Sequence, residues 1–97
     1  MENLLKEIYR VVQDRKKRLP EGSYTASLFK EGKKKILRKF LEEANEVVLA
    51  ATFENQKALT EELADLWFHV IVLMVQEGVT INEVMEVLRK RRQNSNS

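Results

Sequence analysis

Ninety-seven residues suffice for one domain. A chain of that length buries only about 60–70% of the surface it exposes when unfolded, so any large leftover apolar face points to a partner. Apolar residues make up 43% and charged residues 33%, which excludes a disordered chain, and a net charge of +2 is too small to argue for nucleic acid by itself. There is no cysteine, which removes disulfides, thiolate metal sites and cysteine nucleophiles together.

The N-terminus carries no apolar stretch of signal-peptide type, because Leu4 and Leu5 are followed at once by Lys6 and Glu7. The apolar run Leu66–Val75 is interrupted by His69 and is too short to cross a bilayer. A cytoplasmic protein is expected. Leu4, Leu5, Ile8, Tyr9, Val11 and Val12 repeat at helical spacing and predict a first helix over Glu2–Lys17. Its basic end, Arg15 to Arg18, suits the negative end of a helix dipole. Pro20 and Gly22 break the pattern, and a loop leads into a short helix that Ser23 or Thr25 would cap. Gly32 separates it from a second long helix over Lys33–Phe53.

On that helix Ile36, Leu37, Phe40, Ala44, Val47, Val48 and Ala51 fill one arc. Glu43 borders the arc, Glu46 and Lys39 lie just outside it, and Glu42 points further round. Glu54–Lys57 reads as the connection to a third long helix over Ala58–Gln76. There Leu59, Leu63, Leu66, Trp67, Val70, Leu73 and Met74 form the main stripe, with Glu62, Asp65 and His69 beside it. Phe68, Ile71, Val72 and Val75 cover the opposite side. A helix apolar nearly all round is buried nearly all round, and one short chain offers too few helices for that, so self-association is predicted. Gly78 suits a helix C-cap, and Thr80-Ile81-Asn82-Glu83 has the spacing of a capping box that opens a last helix ending near Arg92. No strand pattern occurs. The expectation is an all-α domain of four to five helices over residues 1–92, with 93–97 as a frayed tail.

Two acidic pairs, Glu43/Glu46 and Glu62/Asp65, stand three residues apart beside apolar stripes on consecutive helices. Packed antiparallel, those helices could bring four carboxylates to one point. A Glu-x-x-Glu pair is ordinarily solvated helix surface. Here the acids flank the core and recur in the matching position of the next helix. Gathered carboxylates repel each other and call for a cation. With oxygen ligands, no cysteine and one histidine, magnesium is favoured, with manganese possible and zinc disfavoured. Magnesium held by carboxylates also takes phosphate oxygens, and Lys33, Lys34, Lys35, Arg38, Lys39 and Arg15–Arg18 could neutralise the remaining phosphate charge. His69 reads as a hydrogen-bonded core residue rather than a ligand, and Trp67 and Phe68 as packing.

Glu42-Glu43-x-x-Glu46 followed by Glu62-x-x-Asp65 resembles the signature of the all-α, MazG-like nucleoside triphosphate pyrophosphohydrolases. Several flanking segments narrow the resemblance to the phosphoribosyl-ATP pyrophosphatase family of histidine biosynthesis. They are Gln13-Asp14-Arg15, Gly22 to Leu28, Lys39 leading into Glu42-Glu43, Val47 to Ala51, and Ala64-Asp65-Leu66-x-x-His69. Leu41 departs from the glycine common before the paired glutamates, a change in packing rather than in chemistry. The resemblance implies a helical bundle completed by homodimerisation, and magnesium-dependent hydrolysis of phosphoribosyl-ATP to phosphoribosyl-AMP and pyrophosphate.

Carried across, Glu43, Glu46, Glu62 and Asp65 would hold the metal, and Glu42 or Glu46 would orient the attacking water. Arg15, Lys35 and Lys39 would contact phosphates, and Ser23-Tyr24-Thr25 would shape the substrate loop. Two rival readings stay open: a house-cleaning pyrophosphohydrolase of ordinary or damaged nucleotides, and a helical DNA-binding or adaptor dimer. The second requires salt-sensitive DNA binding without hydrolysis, and the small net charge with acids at the core edge argues against it.

Overall fold

The computed structural model describes residues 2–94 as five helices: α1 (Glu2–Arg18), α2 (Tyr24–Glu31), α3 (Lys33–Phe53), α4 (Gln56–Glu77) and α5 (Ile81–Gln93). No strand occurs among the described residues. None of their helices is long and apolar enough to cross a membrane. The expected tail begins later than predicted: Gln93 ends α5 and Asn94 caps it, while 95–97 lie outside the described residues.

The helix boundaries follow from local chemistry. The Ser23 hydroxyl accepts from the Ala26 N–H at 3.1 Å and starts α2. The Asn55 side chain accepts from the Ala58 N–H at 2.9 Å, so α4 opens at Gln56 and the predicted four-residue connection shrinks to Glu54–Asn55. Gly78 ends α4 in the left-handed region (φ 73°), with its own N–H on the Val75 carbonyl and the Val79 N–H on the Met74 carbonyl. Together these make a Schellman motif. Thr80 and Glu83 form the predicted capping box, with Glu83 N–H to Thr80 Oγ1 at 3.1 Å and Thr80 N–H to Glu83 Oε1 at 2.8 Å. Leu19, placed before Pro20, takes a positive φ of 48° and closes α1 through its N–H on the Arg15 carbonyl.

α3 and α4 form an antiparallel hairpin and pack along each other more extensively than any other pair. Lys33 at the start of α3 meets Glu77 at the end of α4, Nζ to Oε1 at 2.7 Å, which closes the hairpin opposite its bend. α1 lies against α4 and α2, and α5 returns along α1. Tyr9 donates to the Val79 carbonyl at 2.9 Å, and Arg89 pairs with Glu2 at 2.7 Å. The core joins Leu5 and Val12 of α1, Leu28 of α2, Ile36 of α3, Ile71, Val72 and Val75 of α4, and Ile81 of α5.

Two parts of the predicted core lie elsewhere. On α3, Leu37, Val48 and Ala51 are exposed, and Ala50 is buried in place of Ala51. On α4, the side carrying Ile71, Val72 and Val75 is the buried one, while Leu63, Trp67 and Val70 of the predicted main stripe face outward. Both stripes are apolar. The covering helices of the chain fall on one of them, a choice that helical periodicity does not encode. The chain is elongated, with principal extents of 46 × 34 × 23 Å and a radius of gyration of 14.9 Å, against about 12.5 Å for a compact domain of this length.

Candidate metal and phosphate site

The hairpin carries both acidic pairs to its middle. Glu43 from α3 and Glu62 and Asp65 from α4 each offer a carboxylate oxygen, and these oxygens lie within 4.8 Å of one another. Glu62 and Asp65 share a face of α4 because they stand three residues apart. Glu43 and Glu62 are half-buried and Asp65 is exposed. Partial desolvation pushes the Glu62 carboxyl above the ordinary glutamate range, and the negative charges of Asp65, Glu46, Glu43 and Glu54 push it further. Glu46 therefore acts on this cluster through its field but is not one of the three that converge.

Lys39 sits at the α3 edge of the cluster. Its ammonium lies 3.1 Å from Glu42 and 3.5 Å from Glu43, with only 22% of the side chain exposed. The hydrogen bond to Glu42 raises the lysine above its ordinary range, against the opposing effect of burial. Glu42 is thus engaged by an internal cation. The Glu62–Asp65 side of the cluster has no such partner among the described residues.

Across from Lys39 stands Tyr24, the first residue of α2. It is half-exposed, and its hydroxyl meets His69 Nε2 at 3.0 Å. Burial raises its phenol above the ordinary tyrosine range. Lys39 works against that shift, while Glu43, Glu42 and Asp65 add to it. Tyr24 therefore stands in the field of the acidic site. His69 itself is buried and accounts for both ring nitrogens, as a hydrogen-bonded core residue does: Nδ1 reaches the Asp65 carbonyl oxygen at 2.8 Å.

The remaining sequence-derived candidates are dispersed. The Ser23 hydroxyl is taken up by the α2 cap, and Thr25 is half-buried one residue beyond Tyr24. Arg15 is bound to Asp14 at 2.7 Å on α1. Lys35 lies one turn before Lys39 on α3. No contact joins Arg15 or Lys35 to the three carboxylates among the described residues. Sequence reasoning missed the coupling of Asp65 to Tyr24 through His69. The available signal was the four-residue step from Asp65 to His69, which places them one turn apart.

Chemically, two half-buried carboxylates and one exposed one, with one uncompensated flank, suit a hard divalent cation bound through oxygen. Comparison with known proteins gives the family. Residues 5–92 match the profile of a protein family described as phosphoribosyl-ATP pyrophosphohydrolase. The chain is 48% identical over 91 residues to a phosphoribosyl-ATP pyrophosphatase of Leptospira biflexa, covering 94% of this chain and 98% of that protein. It is 44% identical over 91 residues, with the same coverage of each, to one of Metallosphaera sedula. It is also 51% identical over 86 residues to a histidine biosynthesis bifunctional protein of Thermotoga maritima, covering 89% of this chain and 44% of that protein. The chain thus spans less than half of the bifunctional relative and nearly the whole length of the other two.

Proposed function

This chain belongs to the phosphoribosyl-ATP pyrophosphohydrolase family, and from that membership we propose that it hydrolyses phosphoribosyl-ATP to phosphoribosyl-AMP and pyrophosphate in histidine biosynthesis. Water supplies the oxygen that bonds to phosphorus, the anhydride P–O bond breaks, pyrophosphate leaves, and the water's proton passes to a base and then to solvent. The observation that carries the reading is the meeting of Glu43 with Glu62 and Asp65, within 4.8 Å. Unaided, such a cluster would repel a triphosphate. The donor set fits Mg2+, with Mn2+ as a substitute: it is all oxygen, partly desolvated, and under mutual repulsion that a cation relieves. A cation bound there would neutralise phosphate charge and polarise the phosphorus–oxygen bonds.

The side chains divide the remaining work. Glu43, Glu62 and Asp65 would hold the metal, and Glu46 would complete the set from the next turn of α3. Glu46 is also our choice to orient the water and take its proton, because Lys39 engages Glu42. Glu42 then acts as the partner that holds Lys39 in place, and Lys39 meets a phosphate once the substrate's charge competes for it. Lys35 and Arg15 would contact phosphates of the bound substrate. Ser23 builds the start of α2 and so places Tyr24 and Thr25. Catalysis of this kind rests on positioning and charge neutralisation, with no covalent intermediate.

The same reading makes the working unit a homodimer of single catalytic domains spanning residues 1–92. Large apolar side chains remain uncovered on the hairpin: Leu41 is 67% exposed, Val48 59%, Phe53 79% and Trp67 47%. Apolar grooves flank Trp67, one of about 340 Å³ with Leu4, Ile8 and Leu63, the other of about 240 Å³ with Val70, Met74 and Leu88. On the same reading the enzyme works in the cytoplasm. Pyrophosphate release from phosphoribosyl-ATP and from plain nucleoside triphosphates, each with and without Mg2+, tests the function. Fast Mg2+-dependent release from phosphoribosyl-ATP alone is expected. Equal rates on all triphosphates would favour the house-cleaning alternative, and no release would remove the enzyme reading.

A further inference from the structure

His69 is the buried polar side chain of the described core, 6% exposed, and the hydrolytic scheme leaves it without a task. Its hydrogen bonds fix its tautomer. A carbonyl oxygen can only accept, so Nδ1, 2.8 Å from the Asp65 carbonyl, carries the ring proton. Nε2 of the neutral ring then offers a lone pair, and the Tyr24 hydroxyl, 3.0 Å away, donates to it. The ring is also held from its sides: Phe68 packs edge-on at 5.5 Å and 85°, and Tyr24 at 6.0 Å and 71°. The result for Tyr24 is directional. Its one O–H proton points into the protein, so the phenol oxygen can only accept a hydrogen bond at the site. A phosphate has no donor to offer it at neutral pH, and the Lys39 ammonium is already shared between Glu42 and Glu43.

We propose that His69 is a positioning residue for the reaction: it fixes Tyr24 as a hydrogen-bond acceptor for an O–H group at the substrate site, while tying the turn of α4 that carries Asp65. The inference rests on the hydrolytic reading above. The O–H donor is either a sugar hydroxyl of the substrate or a water beside the phosphates, and the kinetics separate the two. Loss of a sugar contact raises KM, and loss of water alignment lowers kcat.

Three variants separate positioning from packing. His69→Asn keeps an amide donor within reach of the Asp65 carbonyl but offers Tyr24 nothing. His69→Gln keeps an acceptor within reach of Tyr24. Tyr24→Phe keeps the ring and loses only the hydroxyl at a half-exposed position, so it is expected to fold. Steady-state turnover of phosphoribosyl-ATP with saturating Mg2+ is measured together with the melting temperature of each variant.

Tyr24→Phe and His69→Asn are each expected to lower kcat/KM about 10–100-fold, as losses of supporting hydrogen bonds at such sites do. The double variant should fall no further than either single one, because both remove the same contact. His69→Gln should recover most of the activity. Wild-type constants in Tyr24→Phe, or equal impairment of the Gln and Asn variants, would overturn the positioning role. So would activity that merely follows melting temperature, with single losses that multiply in the double variant. A wild-type chain that does not turn over phosphoribosyl-ATP overturns the functional reading, and this inference with it.

Discussion

Truncating Trp67 to alanine should split the proposed dimer, and the size of the effect can be worked from its exposure. A tryptophan side chain presents up to about 250 Å². At 47% exposure, about 120 Å² of it stays open on the protomer. Covering that area against a partner is worth about 3 kcal/mol at 25 cal/mol per Å². A twofold interface counts the residue twice, for about 6 kcal/mol, or roughly four decades in the dissociation constant. Area overstates affinity, because association also costs translational freedom and side-chain ordering. A weakening of at least about a hundredfold is therefore the expected result. Trp67 is the chain's single tryptophan, so its emission reports its environment directly. Dilution of the wild-type protein should shift that emission to the red as the dimer parts, in step with mass from light scattering. The alanine variant, checked for native helicity, should scatter as a monomer over the same concentrations. A variant as dimeric as the parent, or a parent that is monomeric throughout, would refute the assignment of this face.

Further expectations concern the site and the caps. Mg2+ should raise the melting temperature of the wild-type chain, and Glu62→Gln should abolish that rise without lowering the metal-free melting temperature, since it removes a charge that Asp65, Glu46 and Glu43 repel. A Glu62→Gln chain still stabilised by Mg2+ would remove Glu62 from the ligand set. Thr80→Ala should cost about 1 kcal/mol, which lowers the melting temperature by about 4–8 °C in a domain of this size. The Glu83 half of the same cap makes a pH prediction. The Thr80 N–H and hydroxyl hold the Glu83 carboxyl below its ordinary 4.5. That contribution is therefore complete above the unfolded value and is lost as the pH falls through the lower folded one. Melting curves of the wild type and Glu83→Gln should converge at acid pH; a constant gap would contradict the linkage. Gly78→Ala should destabilise by about 1 kcal/mol through the left-handed backbone alone, because a Cβ there meets nothing within 4 Å. A larger loss by calorimetry would mean that the α4–α5 turn has moved.

Much of the molecule was legible in the chain because local signals are short-range. Gly78 and the Thr80–Glu83 box set helix ends through contacts within a few residues, and Lys33–Phe53 matches α3 residue for residue, whereas the Asn55 cap, read as part of a longer connection, opens α4 two residues earlier than expected. The meeting of Glu43 with Glu62 and Asp65 was also readable, since two long helices joined by a short connection run antiparallel, but the fourth expected carboxylate, Glu46, is not among the three that converge. The sequence did not reveal which apolar side of α4 the protomer covers. Leu63, Trp67 and Val70 are as hydrophobic as Ile71, Val72 and Val75, and only the placement of α1 decides between them. Nor was it legible that Lys39 would turn to Glu42 and Glu43, because a lysine on a flank can reach solvent, phosphate or carboxylate equally well.

The bend between α3 and α4 is two residues long, and Lys33 and Glu77 clasp the far end. That leaves the hairpin no slack. Sliding one helix past the other by a single turn, about 5.4 Å, would carry Glu43 further than the 4.8 Å span that gathers the three oxygens. The Glu54–Asn55 link thus acts as a ruler for chemistry two to three turns away. Lengthening it by even a few residues would disturb the carboxylate geometry long before it disturbed the fold.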